Sequence, residues 1–346
     1  MINFSAPVNT EPGTYLFMKI LIVYNVIIPV SLYGGVERVI WCLGKELVKK
    51  GHQVSYLVKK GSSCDFATII PIDDTKDIIS QIPAGTDIVH FNNTPDNLHQ
   101  LKIPYLITLH GNSNYSRDFD LNTVFISKNH AHRHGSETYV HNGLDWEEYS
   151  NPDLTLKRNY FHFLGNAAWR VKNVQGAIKV ISAMEHQQLK VIGGVRFNFK
   201  MGLRFTFSPS IKFYGMIGGE QKDKMLNGSK GLIFPVRWHE PFGLAIIESL
   251  YCGCPVFGTP YGSLPELINN EVGFLSAKKA ELIDALDHVS AYSNRRCHEY
   301  AVEEFNSKKM ADAYCEKYER VLSNQSLNEV RPHSDETGNK RLLDWD

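Results

Sequence analysis

Two carboxylates, Glu240 and Glu248, carry the strongest chemical signal in the chain, within the stretch Glu240-Pro241-Phe242-Gly243-Leu244-Ala245-Ile246-Ile247-Glu248. The apolar run Gly231 to Phe234 precedes it, so Glu240 is expected in the loop after a strand and Glu248 about two turns into the next helix. A carboxylate among buried apolar side chains is costly unless it accepts hydrogen bonds. A sugar diol suits it, because it offers two hydroxyls to one carboxylate. The amides of Phe242, Gly243 and Leu244 at the helix start would meanwhile face a phosphate.

Other loops after apolar runs carry compatible groups. Gly34-Gly35 follows the first run and opens a helix, which lets the backbone approach a ligand closely. His110-Gly111 follows the run Tyr105 to Leu109, and a neutral imidazole there can donate or accept. Gly165 to Asn173 contains Arg170 and Lys172, cations able to neutralise a diphosphate. The small residues of the loop Gly258 to Glu266 permit a further close approach. No G-x-G-x-x-G follows the first run, and no P-loop motif occurs. Asp118-Phe119-Asp120 could suggest metal-dependent sugar transfer, but it sits in a polar stretch and reads as a solvated loop. His130, His132 and His134 read as a short solvated surface helix, because their spacing does not converge three metal ligands. Two carboxylates in one motif could also serve a glycoside hydrolase, which the helical placement of Glu248 disfavours.

The elements that must hold these groups alternate. Lys19 to Tyr24, Val54 to Val58, Asp87 to Phe91, Tyr105 to Leu109 and Val124 to Ile126 are apolar on both faces and read as central strands of a parallel sheet, with Tyr139-Val140 as a sixth candidate. A second set follows at Tyr160 to Leu164, Leu189 to Ile192, Ile211 to Tyr214, Gly231 to Phe234 and Pro255 to Gly258. Val36, Val39, Ile40, Leu43 and Leu47 recur at helical spacing ahead of Gly51. Two such sets predict two doubly wound α/β domains: 18–150 and 151–305, joined through the polar stretch Asp145 to Asn159, after an irregular extension over 1–17. A helix over 306–322 follows, and the polar segment 323–346 reads as a mobile tail. Lys plus Arg equals Asp plus Glu, 37 against 37, which argues against a nucleic-acid partner held by bulk charge. No apolar run reaches bilayer-spanning length, and the six scattered cysteines suggest free thiols in a cytoplasmic, reducing setting.

Together these motifs resemble retaining GT-B glycosyltransferases, family 4 in particular. Glu240 to Glu248 is similar to the E-x7-E motif with its E-P-F-G opening, and Gly34-Gly35-Val36-Glu37-Arg38 to the amino-terminal glycine loop. His110-Gly111 resembles the family histidine, and His141-Asn142-Gly143 the segment ending the first domain. The Tyr314/Tyr318 helix is similar to the one that crosses back to the first domain. The resemblance spans about residues 18 to 322 and implies two Rossmann-like domains with a nucleotide-diphosphate sugar in the cleft. It implies a metal-independent hexosyltransferase without cofactor, with Glu248 on the ribose hydroxyls and the amides of Phe242, Gly243 and Leu244 on the diphosphate or sugar. Glu240 and His110 would lie by the sugar, Arg170 and Lys172 by the leaving diphosphate, Gly34 and Gly35 by the phosphates, and Met216 in the base pocket. The implied acceptor is a saccharide or a lipid-linked saccharide in polysaccharide or glycoconjugate synthesis, compatible with contact at the inner face of the membrane. The chain departs from the pattern at Gly165-Asn166, where the family usually has Gly-Arg, and its basic pair is displaced by one residue. That departure keeps an inactive nucleotide-binding subunit open, and a nucleotide-sugar epimerase shares the architecture.

Overall fold

A computed structural model describes residues 16–30, 34–195, 208–335 and 342–346; most of the 1–17 extension therefore lies outside the described residues. The first set of strands comprises β1 (Lys19–Tyr24), β2 (Gln53–Val58), β3 (Thr68–Pro71), β4 (Ile88–Phe91), β5 (Tyr105–Leu109), β6 (Arg117–Asp118) and β7 (Thr123–Phe125). The second comprises β8 (Tyr160–Leu164), β9 (Leu189–Ile192), β10 (Ile211–Phe213), β11 (Ser229–Phe234), β12 (Val256–Gly258) and β13 (Gly273–Leu275), and β14 (His333–Ser334) comes last. Helices are α1 (Val36–Lys49), α2 (Lys128–His132), α3 (Val174–Ser182), α4 (Gly219–Asn227), α5 (Leu244–Tyr251), α6 (Leu264–Leu267), α7 (Lys279–Asp287), α8 (Asn294–Glu304) and α9 (Ser307–Leu322).

Two six-stranded sheets result, ordered β3-β2-β1-β4-β5-β7 and β10-β9-β8-β11-β12-β13, and every pairing within them is parallel. The two-domain α/β architecture that the resemblance implies is therefore the one observed. Ile20 to Val23 and Phe161 to Leu164 are buried on both faces, as continuous apolar strands in a covered parallel sheet must be. In each sheet the winding direction reverses, between β1 and β4 and between β8 and β11. Those reversals open crevices at the carboxyl ends, where ligands of doubly wound sheets bind. Gly34, Asn92, Gly165 and Glu240 all follow these four strands.

Helix α9 returns to the first sheet. Tyr318 Oη and His90 Nδ1 are 2.8 Å apart, His90 Nε2 and Thr108 Oγ1 2.8 Å, and Thr108 Oγ1 and Tyr314 Oη 2.9 Å. All four side chains are buried, so each polar atom depends on the others for a partner.

Several expectations change. Tyr139-Val140 makes one isolated bridge, Phe125 to Tyr139, instead of a strand. β3 and β13 were not anticipated: β3 is a half-exposed edge ending in Pro71, and β13 has 3 residues, too little of either for a hydrophobic run. The histidine helix is not a solvated face, since His130 and His134 are buried against Phe125 and only His132 reaches solvent. Nor is the described part of 323–346 a loose tail. Leu327 and Asn328 are buried, Asn328 donates to Leu121 O and Thr123 O, and β14 pairs antiparallel with β6. Asp118 of that motif bonds His333 across the pair, while Phe119 is buried.

Candidate active site

A cleft of about 500 Å³ lies between the carboxyl ends of the two sheets. Its lining includes Gly34, Gly35, His110, Lys172, Met216, Glu240, Phe242, Gly243, Leu244 and Glu248, so all of the expected site residues but one converge there. The exception is Arg170, which is exposed in a short 3-10 turn and lies outside the lining. Met216 is 42% exposed within the cleft, while the Phe242 ring is buried against His141 and Phe305.

The loop into α5 is built around glycines. Gly243 adopts φ +89°, and a Cβ there would stand 2.9 Å from Ile246 Cδ1 and 3.3 Å from Glu240 Cγ. Its conformation turns the chain so that the first amides of α5, which have no preceding turn to donate to, head the helix at the cleft. Gly262, at φ +66°, lies so close to Glu240 that a Cβ would meet the Glu240 amide nitrogen at 2.2 Å. A Cβ on Gly35 would meet no protein atom within 4 Å. The protein itself does not require glycine there, but a ligand pressed against the backbone would.

Glu248 is 5% exposed at the cleft floor. Its Oε1 accepts from Arg38 on α1, from Lys222 on α4 at 2.5 Å and from Tyr149 Oη at 2.8 Å. Burial alone would raise the pKa of this carboxyl, but the cations of Lys222 and Arg38 outweigh it and hold it at about 2. Oε2 takes none of these three bonds. Arg38 comes from the first domain and Glu248 from the second, so the pair also spans the cleft. The sequence signals no role for Lys222, and Tyr149 lies in the polar stretch expected to join the domains. Only Arg38, inside the quoted glycine-loop motif, carried a signal that could have found it.

Lys172 Nζ bonds Glu240 Oε2 at 2.6 Å, and Trp238 Nε1 donates to the same oxygen at 2.8 Å. The Lys172 ammonium also lies over the rings of Phe234 and Trp238, a cation–π contact. Asn166, at the departure from the family pattern, accepts the Ala168 amide with Oδ1 and closes its own turn, outside the cleft lining.

His110 Nε2 is 2.8 Å from Asn92 Oδ1, and the Asn92 amide nitrogen donates to Val23 O. Asn92 thus offers its oxygen, so Nε2 carries the proton and Nδ1 keeps a lone pair. Burial pushes the pKa of this imidazole down to about 3. His110 therefore stays neutral above that pH, and the rate should show no imidazole limb between about pH 5 and 8. A pH–rate profile checks this; a limb near neutrality that vanishes in His110→Asn would contradict it.

A second contact joins the domains. Glu266 on α6 accepts the amides of Lys128 and Asn129 and lies 3.1 Å from His141 Nε2, while Asn112 donates to His239 O.

Residues 146–303 match the model of the family described as glycosyl transferases group 1. That match takes in most of the second domain and less than half of the chain. The matched residues supply Lys172, Lys222, Glu240 and Glu248 to the cleft. The chain is 25% identical over 215 residues to N-acetyl-alpha-D-glucosaminyl L-malate synthase of Bacillus anthracis, a match covering 55% of each chain. It thus spans about half the length of that curated relative. Among solved structures it resembles AviGT4, a glycosyltransferase of avilamycin A biosynthesis, with TM-score 0.70 and 20% identity over 88% of this chain and 98% of that one. It also resembles Anabaena Alr3699/HepE in complex with UDP-glucose, with TM-score 0.63 and 15% identity over 89% of this chain and 100% of the other. These two establish the GT-B fold for the chain as a whole. Among the described residues no helix is long and apolar enough to cross a membrane.

Proposed function

We propose that the chain transfers a glycosyl group from a nucleotide-diphosphate sugar to a saccharide or lipid-linked acceptor, with retention at the anomeric carbon. The observation that carries this reading is the Glu248 carboxylate: buried, ionised, with Oε1 bonded by Arg38, Lys222 and Tyr149. Oε2 is outside that set and suits the two hydroxyls of a ribose diol. The family match over the second domain and a HepE neighbour solved with UDP-glucose support a nucleotide-sugar donor.

In this reading the first amides of α5 and the Lys172 ammonium meet the diphosphate and stabilise its charge as the glycosidic bond breaks, without a metal ion. Glu240, held by Lys172 and Trp238, lies beside the sugar and does not attack it. A departing phosphate oxygen accepts the proton of the acceptor hydroxyl on the face it leaves, so configuration is kept without a protein nucleophile. Neutral His110 offers Nδ1 as an acceptor toward a sugar hydroxyl. A trapped covalent glycosyl-enzyme would sink this mechanism.

The direct test is thermal stabilisation of the protein by UDP-, GDP-, ADP- and dTDP-sugars, with and without Mg2+. We expect one nucleotide class to stabilise the fold regardless of Mg2+, followed by acceptor-dependent release of its diphosphate. A well-folded protein that no nucleotide stabilises would remove the reading.

A further inference from the structure

The last described residues, 342–346, return to the second domain and grip the two segments that hold Glu240. Leu343 clamps Arg237 through both of its main-chain polar groups: its N–H donates to Arg237 O at 2.9 Å, and its carbonyl accepts from Arg237 Nε at 2.7 Å. Arg237 N–H in turn donates to Val171 O at 2.7 Å, immediately before Lys172. Trp238, immediately after Arg237, donates to the same Glu240 oxygen that Lys172 bonds. The second grip is on the loop after β12. Asp344 O accepts from Tyr261 Oη at 2.8 Å, and Tyr261 adjoins Gly262, whose backbone packs against that of Glu240. Ser263 N–H, one residue further, donates to Glu240 O at 2.9 Å. Trp345 anchors the segment by packing on the second domain's core, and Asp346 N–H and O bond Ala277 O and the Lys279 amide.

We infer that residues 342–346 are a positioning element for the Lys172–Trp238–Glu240 cluster, acting through Arg237 and Tyr261. This rests on the functional reading above, in which that cluster serves the diphosphate and the sugar. The segment supplies none of the three bonds to Glu248, so the nucleoside end of the ligand is independent of it. Freed from Leu343, Arg237 would still hold Val171 but could shift with it, carrying Lys172 and Trp238 off their common oxygen. Misplacements of this order affect turnover far more than folding.

The test compares the wild type with a chain lacking 342–346, with Trp345→Ala and with Arg237→Lys, which removes the Nε contact while keeping charge and fold. UDP and UMP, or the same pair in the base that stabilises the wild type, are titrated against each. The expected result is monophosphate affinity within about twofold of wild type, with the extra affinity contributed by the second phosphate reduced about tenfold. kcat should fall in parallel while the acceptor KM holds, and Trp345→Phe should restore both. An unchanged diphosphate-to-monophosphate ratio would overturn the inference. So would equal loss of both affinities alongside a lowered Tm, which marks a merely structural segment. Failure of the wild type to bind either nucleotide would instead remove the functional reading, and this inference with it.

Discussion

Glu248→Gln is expected to abolish stabilisation by the donor nucleotide and to lower kcat/KM about 100- to 10,000-fold, because two charge-assisted hydrogen bonds worth about 1.5–3 kcal/mol each are lost. The expectation follows from the asymmetry of the carboxylate. Arg38, Lys222 and Tyr149 all donate to Oε1, so a carboxamide in this place must turn its oxygen toward them. Its NH2 then occupies the Oε2 position, where ribose hydroxyls need an acceptor. Glutamine keeps those three hydrogen bonds, so it should cost the fold less than alanine does while being rejected by the ligand. Glu248→Ala is the poorer variant, since it strands the buried Lys222 cation, and breaking a buried pair costs about 3–5 kcal/mol of stability. Isothermal titration of the nucleotide into Glu248→Gln, with its Tm as a control, checks the argument; undiminished affinity in a folded variant would refute it.

The second large effect is expected at Lys172. Replacing it with methionine removes the ammonium that lies over Phe234 and Trp238 and that the proposed function sets against the leaving diphosphate. Losing one preorganised group of this kind costs about 100- to 1,000-fold in kcat. Arg170→Ala, by contrast, alters an exposed side chain outside the cleft and should stay within about twofold of wild type. Initial rates of nucleoside diphosphate release separate the two. A collapse in Arg170→Ala comparable to that in Lys172→Met would return the displaced basic pair to the site.

The contrast between these neighbours shows how far the sequence could be read. The alternation of apolar runs revealed both sheets, because strands buried on both faces leave an unbroken hydrophobic trace. The carboxyl-end loops then pointed to His110, Lys172, Glu240 and Glu248, since topology alone brings those ends to one cleft. It gave no means of choosing between Arg170 and Lys172. That depends on a single 3-10 turn, which leaves one side chain in solvent and stacks the other over Trp238. Lys222 was illegible for another reason: within Glu220-Gln221-Lys222-Asp223-Lys224 it looks like an ordinary solvated face, yet the fold buries it at 3% exposure. Its partner lies 26 residues away, and Arg38 reaches the same carboxylate from 210 residues away. The terminal segment was misread because polar composition says nothing of main-chain hydrogen bonds, which dock Leu343 and Asp344, or of a single anchoring tryptophan.

The buried square of His90, Thr108, Tyr314 and Tyr318 bears on how the molecule comes into being. Strands β4 and β5 emerge from the ribosome early, carrying a histidine and a threonine that bond each other, while their bonds to Tyr318 and Tyr314 wait for α9. At roughly 5–20 residues per second, the chain between β7 and the end of α9 takes about 10–40 s to make. Through that interval the first sheet has every strand it will use and still lacks part of its interior. The whole second domain is synthesised in the gap. The two halves share a cleft, and the first is finished only by α9, which is made after the whole of the second.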